Sequence, residues 1–267
     1  MIKTYEYFID SLNRRIKNDD AFIYELLVTV VKNPKRYTGI FRLSNAKTKL
    51  IQNVTQSREI KFGDFMEEIV TEYIAEMGYT NLDKSIGTDE DGNQLSADQV
   101  FRKGNTVYLI EQKTRDDHDS TKKRGQYENF RKKFSLLKKR FPNCDVIATM
   151  WFIDDSFVKN KNYYLSKAQA EQVSGVYINI MYGGVLFADL FGRPDVWQEI
   201  CSYLLRNKQE RTNDDLNIPD FDKSPEIKLA VQKLKRNEPT LYRKLTSNQP
   251  EYVQLRNELF PTGTNLR

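Results

Sequence analysis

The sequence predicts an α/β (α+β) fold, a mixed central β-sheet flanked by helices with helical additions at either end, and three observations carry that expectation. Two short apolar runs, Leu95–Phe101 and Thr106–Lys113, meet through Arg102-Lys103-Gly104-Asn105. The second is too short and too rich in Val, Tyr and Ile for a typical helix, so it reads as a strand, and Gly-Asn is a favoured two-residue hairpin loop. Two further runs, Asp145–Ile153 and Val176–Tyr182, are almost continuously apolar, the pattern of strands buried on both faces. Around them, apolar stripes at helical spacing supply the covering layers.

Taken in order, Tyr5, Phe8, Ile9, Leu12 and Ile16 mark a first helix. Asp20 can cap a second over Ala21–Lys32, which ends before Pro34. Lys35–Leu43 reads as a basic loop and Ser44 as the cap of a helix through Val54. Phe62–Met77 is amphipathic, with Phe62, Phe65, Met66, Ile69, Val70, Tyr73, Ile74 and Met77 on one broad stripe. At 100° per residue Glu67 borders that stripe while Glu68 points away. Ile86–Leu95 reads as a loop. Tyr127, Phe130, Phe134, Leu137 and Phe141 define a helix whose stripe is core and whose basic residues lie around it. Gly183-Gly184 closes the last strand, and Pro194–Arg206 is a helix begun by proline. Asn207–Ser224 is a polar linker, and Pro225–Phe260 holds short amphipathic helices. The expected organisation is a helical region over 1–55, a core over 56–206 and a helical appendage over 207–267.

The hairpin register places the chemistry. If Gly104-Asn105 is the loop, Lys103 faces Thr106 and Asp98 faces Glu111 as a close, non-hydrogen-bonded pair. Lys113 projects to the same face as Glu111. Two carboxylates about 4 Å apart repel by about 4 kcal/mol at an effective dielectric near 20, so the pair does not serve stability. A divalent cation reverses that sign, and two carboxylates with waters and a phosphate oxygen suit Mg²⁺. A solvated hairpin face with an ordinary cross-strand Lys–Glu pair remains the alternative, because a one-residue slip in register undoes the constellation.

Asp98, followed 13 positions later by Glu111-Gln112-Lys113, resembles the D…(D/E)xK motif of the PD-(D/E)XK nuclease superfamily, with Ala97 where proline often stands. Gly63-x₃-Glu67-x₂-Val70-x₃-Ile74-x₃-Gly78-Tyr79 resembles the helix that precedes the catalytic strands in many of these nucleases. The segment Thr114–Gln126, basic directly after the ExK strand, resembles type II restriction endonucleases. The resemblance implies a restriction-endonuclease-like core and Mg²⁺-dependent, sequence-specific hydrolysis of double-stranded DNA. It implies Asp98 and Glu111 as metal ligands with the Gln112 carbonyl, Lys113 stabilising developing charge, and Glu67 as a further metal or water contact. DNA contacts fall to Arg115, His118, Lys122, Lys123, Arg124, Gln126 and Asn129. Enzymes of this kind usually read palindromes, which implies a homodimer, with surplus helical surface for an interface in 1–55 and 225–260. A cognate DNA methyltransferase is expected in the same system, without a stable complex. A junction-resolvase-like nuclease of the same fold is one alternative. A DNA-binding module without catalysis is another, though a binder has no need of opposed carboxylates near phosphates.

Composition agrees. Of 267 residues, 39% are hydrophobic and 30% charged, as in a soluble globular protein. No apolar run approaches a membrane span, Met1-Ile2-Lys3-Thr4-Tyr5-Glu6 is not a signal peptide, and two isolated cysteines suit a reducing, prokaryotic cytoplasm. One histidine leaves little for a zinc site or a His-based triad, and no GxxxxGK(S/T) or GxGxxG pattern exists. Net charge is only +5, yet residues 121–140 carry nine Lys/Arg against Glu128 alone, a concentration that points to a phosphate-facing surface.

Overall fold

Helices α1 (Tyr5–Ile16), α2 (Asp20–Lys32), α3 (Pro34–Thr38) and α4 (Ala46–Glu76) open the chain. Strands β1 (Thr80–Asn81), β2 (Ser85–Thr88), β3 (Gln94–Ser96), β4 (Gln99–Lys103) and β5 (Thr106–Lys113) follow. Then come α5 (Ser120–Arg140), β6 (Asp145–Phe152), α6 (Lys161–Ala170), β7 (Val176–Tyr182) and α7 (Pro194–Glu210). The chain closes with α8 (Pro225–Asn237), α9 (Pro239–Leu245) and α10 (Pro250–Leu259). This architecture comes from a computed structural model that describes residues 2–16, 20–211 and 218–267. Part of the expected linker, residues 212–217, therefore lies outside the described residues. Two compact units emerge: Met1–Ser11 with Gly63–Gln209, and Leu12–Phe62 with Glu210–Arg267.

The first unit contains the mixed sheet, in the order β1-β4-β5-β6-β7. β1, β4 and β5 are antiparallel, whereas β5, β6 and β7 are parallel. The hairpin register is the expected one: Lys103 pairs with Thr106 and Gln99 with Ile110. Gly104 takes φ 58°, the left-handed conformation that the two-residue loop demands. Period-two alternation sends Val107 and Leu109 of β5 into one core with Val146, Ala148, Met150 and Phe152 of β6 and the α5 stripe Tyr127, Phe130, Phe134 and Leu137. On α4, Phe65, Met66, Ile69, Val70, Tyr73 and Ile74 are fully buried. Thr71 Oγ1 donates to Gln99 Oε1 at 2.7 Å, and Gln99 Nε2 to the Glu67 carbonyl at 2.7 Å, fixing α4 against the start of β4.

Several local expectations are corrected. Leu95–Phe101 is not one strand: Gln94–Ser96 pairs with Ser85–Thr88 in a separate two-stranded sheet, and β4 begins at Gln99. The expected loop Ile86–Leu95 is thus mostly a hairpin, whose acidic turn is organised by Asp89 Oδ1 accepting from the Asp91 and Asn93 amides. The separate helices expected over 44–54 and 62–77 are one 31-residue helix, α4, because nothing between Val54 and Phe62 breaks the backbone. The expected basic loop begins as α3, with Pro34 at its start and Tyr37 buried. Helix α6 escapes sequence reasoning, because Tyr164 is its one buried side chain and it shows no stripe.

The second unit is helical and has its own core, in which Leu27, Val30, Val31, Tyr37 and Leu50 meet Ile227, Leu234, Leu245, Leu255 and Phe260. Between α3 and α4, Ile40, Phe41 and Leu43 are exposed to 86%, 96% and 108% of their reference areas. No described helix is long and apolar enough to cross a membrane.

Candidate active site

Asp98 ends the link from β3 to β4, and Glu111 and Lys113 lie at the carboxyl end of β5, where β5 runs parallel to β6. Ligands of open α/β sheets gather at that end of the strands. Asp98 lies one residue beyond the last ladder pair and is held by its Oδ2, which accepts the Gln112 amide at 2.6 Å. Glu111 is 3% exposed. Its two oxygens take one lysine each: Lys113 Nζ donates to Oε1 at 2.7 Å and Lys133 Nζ to Oε2 at 2.5 Å.

Lys113 Nζ also lies 3.1 Å from the Gln112 carbonyl and 3.8 Å from Asp98 Oδ2. The ammonium is therefore the cation around which Asp98, Glu111 and the Gln112 carbonyl assemble, the same three donors that the motif assigns to a metal. The donor set fits a hard divalent ion. No cluster of three or more His, Cys, Asp or Glu able to hold a metal occurs among the described residues. Two carboxylates, a carbonyl and waters are how Mg²⁺ is usually bound. The Gln112 side chain projects from the opposite face of β5, where its Nε2 lies 3.5 Å from the Gly63 carbonyl of α4 and its buried Oε1 has no hydrogen-bond partner among the described residues.

Sequence reasoning places the basic residues of this helix around the stripe and so passes over Lys133. It stands three residues after Phe130 and four before Leu137, on the border of the buried face, and is 6% exposed. That spacing is the available signal. Other cations of the basic run are also engaged internally. Arg131 pairs with Glu128, Lys132 with Asp89 and Asp91, Lys138 with the Pro142 and Cys144 carbonyls, and Arg140 with the Ser85 carbonyl. Three further cations of the run, Lys122, Lys123 and Arg124, stand at the start of α5. There Asp119 caps the helix, accepting the Thr121 and Lys122 amides at 2.9 Å. Lys122 and Arg124 are exposed, and Lys123 lies over the Tyr163 ring at 4.7 Å.

The remaining candidates are spread around this centre. Glu67 Oε1 is paired with Lys84 Nζ at 2.5 Å, and among the described residues no hydrogen bond or ion pair joins it to Asp98 or Glu111. Arg115 lies over Phe157 at 5.7 Å, and His118 Nδ1 is 3.5 Å from Asp117 Oδ1. Gln126 Oε1 accepts from Tyr164 Oη at 2.9 Å, and Asn129 is exposed. Within the loop that carries Arg115 and His118, fully buried Asp116 accepts from the Asn160 amide and Nδ2, both at 2.8 Å, and from Tyr182 Oη at 3.0 Å.

Burial, and then the charge of Glu111, push the Asp98 carboxyl up from 3.8 to about 6. Burial and the charge of Lys122 hold His118 below its ordinary value. Because the folded Asp98 binds its proton more tightly than the unfolded chain does, its contribution to stability is best below pH 4 and is lost as pH rises through 6. Asp98→Asn is therefore expected to raise the melting temperature of the metal-free protein by about 2–6 °C at pH 8. That gain should fade to nothing by pH 4 in thermal melts; an equal gain at both pH values would exclude ionisation of Asp98 as its source.

Similarity to known proteins agrees with this geometry. The profile of a family described as "Type II restriction endonuclease, HinfI" matches residues 5–89 and 81–208. The type II restriction enzyme HinfI of Haemophilus influenzae is 26% identical over 163 residues, which cover 58% of this chain and 61% of that relative. The chain thus matches less than two thirds of the relative's length. No solved structure matches. With most of its length on the family profile, and with the D…ExK constellation assembled at one end of a mixed sheet, this chain belongs to the HinfI family of type II restriction endonucleases.

Proposed function

We propose that this protein hydrolyses double-stranded DNA at a short specific sequence, as a type II restriction endonuclease that requires Mg²⁺. The observation that carries the reading is the convergence of Asp98 Oδ2, Glu111 Oε1 and the Gln112 carbonyl on one ammonium, a cation position built at the end of β5. Asp98, Glu111 and Gln112 would hold a divalent ion there, which when bound supplies Lewis-acid stabilisation of the phosphoryl group and a water acidic enough to attack it. Asp98 also takes the Gln112 amide, which fixes its carboxylate against the β5 backbone one residue from Glu111. Lys113, released from these oxygens, places its charge beside the scissile phosphate and stabilises the negative charge that develops on it. A part for Glu67 as a further water or metal contact requires its carboxylate to leave Lys84. In this reading residues 56–206 are the nuclease core, with 1–55 and 207–267 as helical additions, and the enzyme works in a prokaryotic cytoplasm beside a separate methyltransferase.

Lys122, Lys123 and Arg124 contact phosphates, with Arg115, His118, Gln126 and Asn129 around them. The first turn of α5 contains no acidic residue. Cations near a helix N-terminus are opposed by the helix dipole, by about 0.3–1 kcal/mol each. Asp119, the cap of the helix, offsets part of that opposition, and a phosphate would supply the remaining negative charge. Replacing all three with alanine is expected to weaken binding to every duplex and to flatten the salt dependence by about 0.9 for each phosphate no longer neutralised. An unchanged slope would place the DNA elsewhere.

A homodimer follows from two-fold sites and one D…ExK hairpin per chain. The exposed Ile40, Phe41 and Leu43 supply apolar surface of the kind that interfaces cover. Digestion of a plasmid of known sequence with Mg²⁺ tests the central claim. Discrete fragments with a common end sequence are expected. Cutting confined to branched junctions would replace the reading with a resolvase, and a mobility shift without cutting would replace it with a DNA-binding module.

A further inference from the structure

Lys133 sits on a helix face that packing alone would give to an apolar residue. Phe130, Phe134 and Leu137 around it are fully buried, and its own side chain is 7% exposed. A methionine there would extend the stripe and spare the desolvation of an ammonium, which a buried ion pair often fails to recover. The lysine reaches the one carboxylate oxygen that the other lysine leaves free: Glu111 Oε2 at 2.5 Å. The two lysines also differ in freedom. Lys113 is 23% exposed at the end of a strand and can swing away, whereas Lys133 is hemmed in by the aromatic stripe of α5.

We propose that Lys133 is a positioning residue of the nuclease site, an inference that rests on the function proposed above. Lys113 yields its place on Oε1 to the incoming cation, while Lys133 remains on Oε2 and holds the carboxylate so that a single oxygen faces the ion. The metal-free cluster of Asp98, Glu111, Lys113 and Lys133 has two negative and two positive charges. A divalent ion entering it gains little from net charge and is retained best once a DNA phosphate adds negative charge. Lys133 thus weakens metal binding in the free enzyme and makes loading conditional on substrate, in exchange for a fixed carboxylate.

Lys133→Met separates this role from a merely structural one, because the two readouts move in opposite directions. Without DNA, Mn²⁺ titrated by electron paramagnetic resonance is expected to bind about tenfold more tightly than to wild type, as one nearby positive charge is gone. Single-turnover cleavage with Mg²⁺ is expected to slow by about 10–100-fold, the usual loss when the partner of a metal ligand is removed. Circular dichroism confirms folding, and Lys133→Gln, which keeps a donor without the charge, serves if the methionine variant does not fold; it should also bind Mn²⁺ more tightly. Weaker or unaltered Mn²⁺ binding in the folded variant, or cleavage at the wild-type rate, would overturn the role of Lys133. A wild-type protein that binds Mn²⁺ but cuts no duplex would instead overturn the nuclease reading on which it rests.

Discussion

Asp98→Asn and Glu111→Gln are each expected to lower DNA cleavage by at least about 10³-fold, because each removes a ligand charge from the cation that stabilises the phosphoryl group. Asparagine still offers an oxygen to the Gln112 amide, which Asp98 Oδ2 now accepts at 2.6 Å, so the β4–β5 hairpin keeps its geometry. Glutamine is the informative replacement at 111. Alanine there would strand Lys113 and Lys133, both now bonded to Glu111, and breaking such a buried pair costs about 3–5 kcal/mol. An inactive Glu111→Ala would therefore confound unfolding with chemistry. Single-turnover cleavage of a cognate duplex, beside a thermal melt of each variant, makes the measurement. Activity above a few per cent of wild type in a folded Asp98→Asn or Glu111→Gln protein would sink the assignment of the cation site.

Lys113→Met should divide chemistry from binding. Cleavage is expected to fall by about 10²–10³-fold, the usual loss when a group that stabilises transition-state charge is removed. Divalent-ion affinity should be retained or increased, because the ammonium that competes for Glu111 Oε1, the Gln112 carbonyl and Asp98 Oδ2 is gone. Parallel Mn²⁺ titrations and cleavage time courses decide it. A variant that cuts normally would remove Lys113 from the reaction, and one that loses the metal would make it a structural support of the carboxylates.

The centre of the site is legible in the sequence because a Gly-Asn loop sets the hairpin register, and register alone brings position 98 to position 111. Strand β6 announces itself as an apolar run and is largely buried, whereas β7, equally apolar in sequence, is the edge strand of the sheet, with Tyr182 its one buried residue and Tyr177 exposed; the α5 core face shows by its three-and-four spacing. What sequence reasoning misses has physical reasons. The β2–β3 hairpin is polar and short, with Ile86 its one buried side chain, so no alternation reveals it. The unity of α4 is hidden where the apolar pattern lapses between Val54 and Phe62, although the backbone there has no reason to stop. Lys133 is hidden by its charge: a lysine in a basic run reads as surface, and only the stripe beside it says otherwise.

In the proposed nuclease, the buried carboxylate of Asp116 would set how tightly the protein grips DNA. By binding the Asn160 amide and side chain and the Tyr182 hydroxyl, it fastens the segment between the ExK strand and the basic start of α5 to two other elements of the sheet domain. The segment is thus ordered when the protein folds. A loop that must become ordered on association gives up conformational entropy at that moment, about 0.5–1.5 kcal/mol for each long side chain immobilised in addition to its backbone. A fastened mount loses only the side-chain share. Under the proposed function, the attraction between Lys122, Lys123, Arg124 and the phosphates would then pass into residence time on the duplex instead of into arranging the loop.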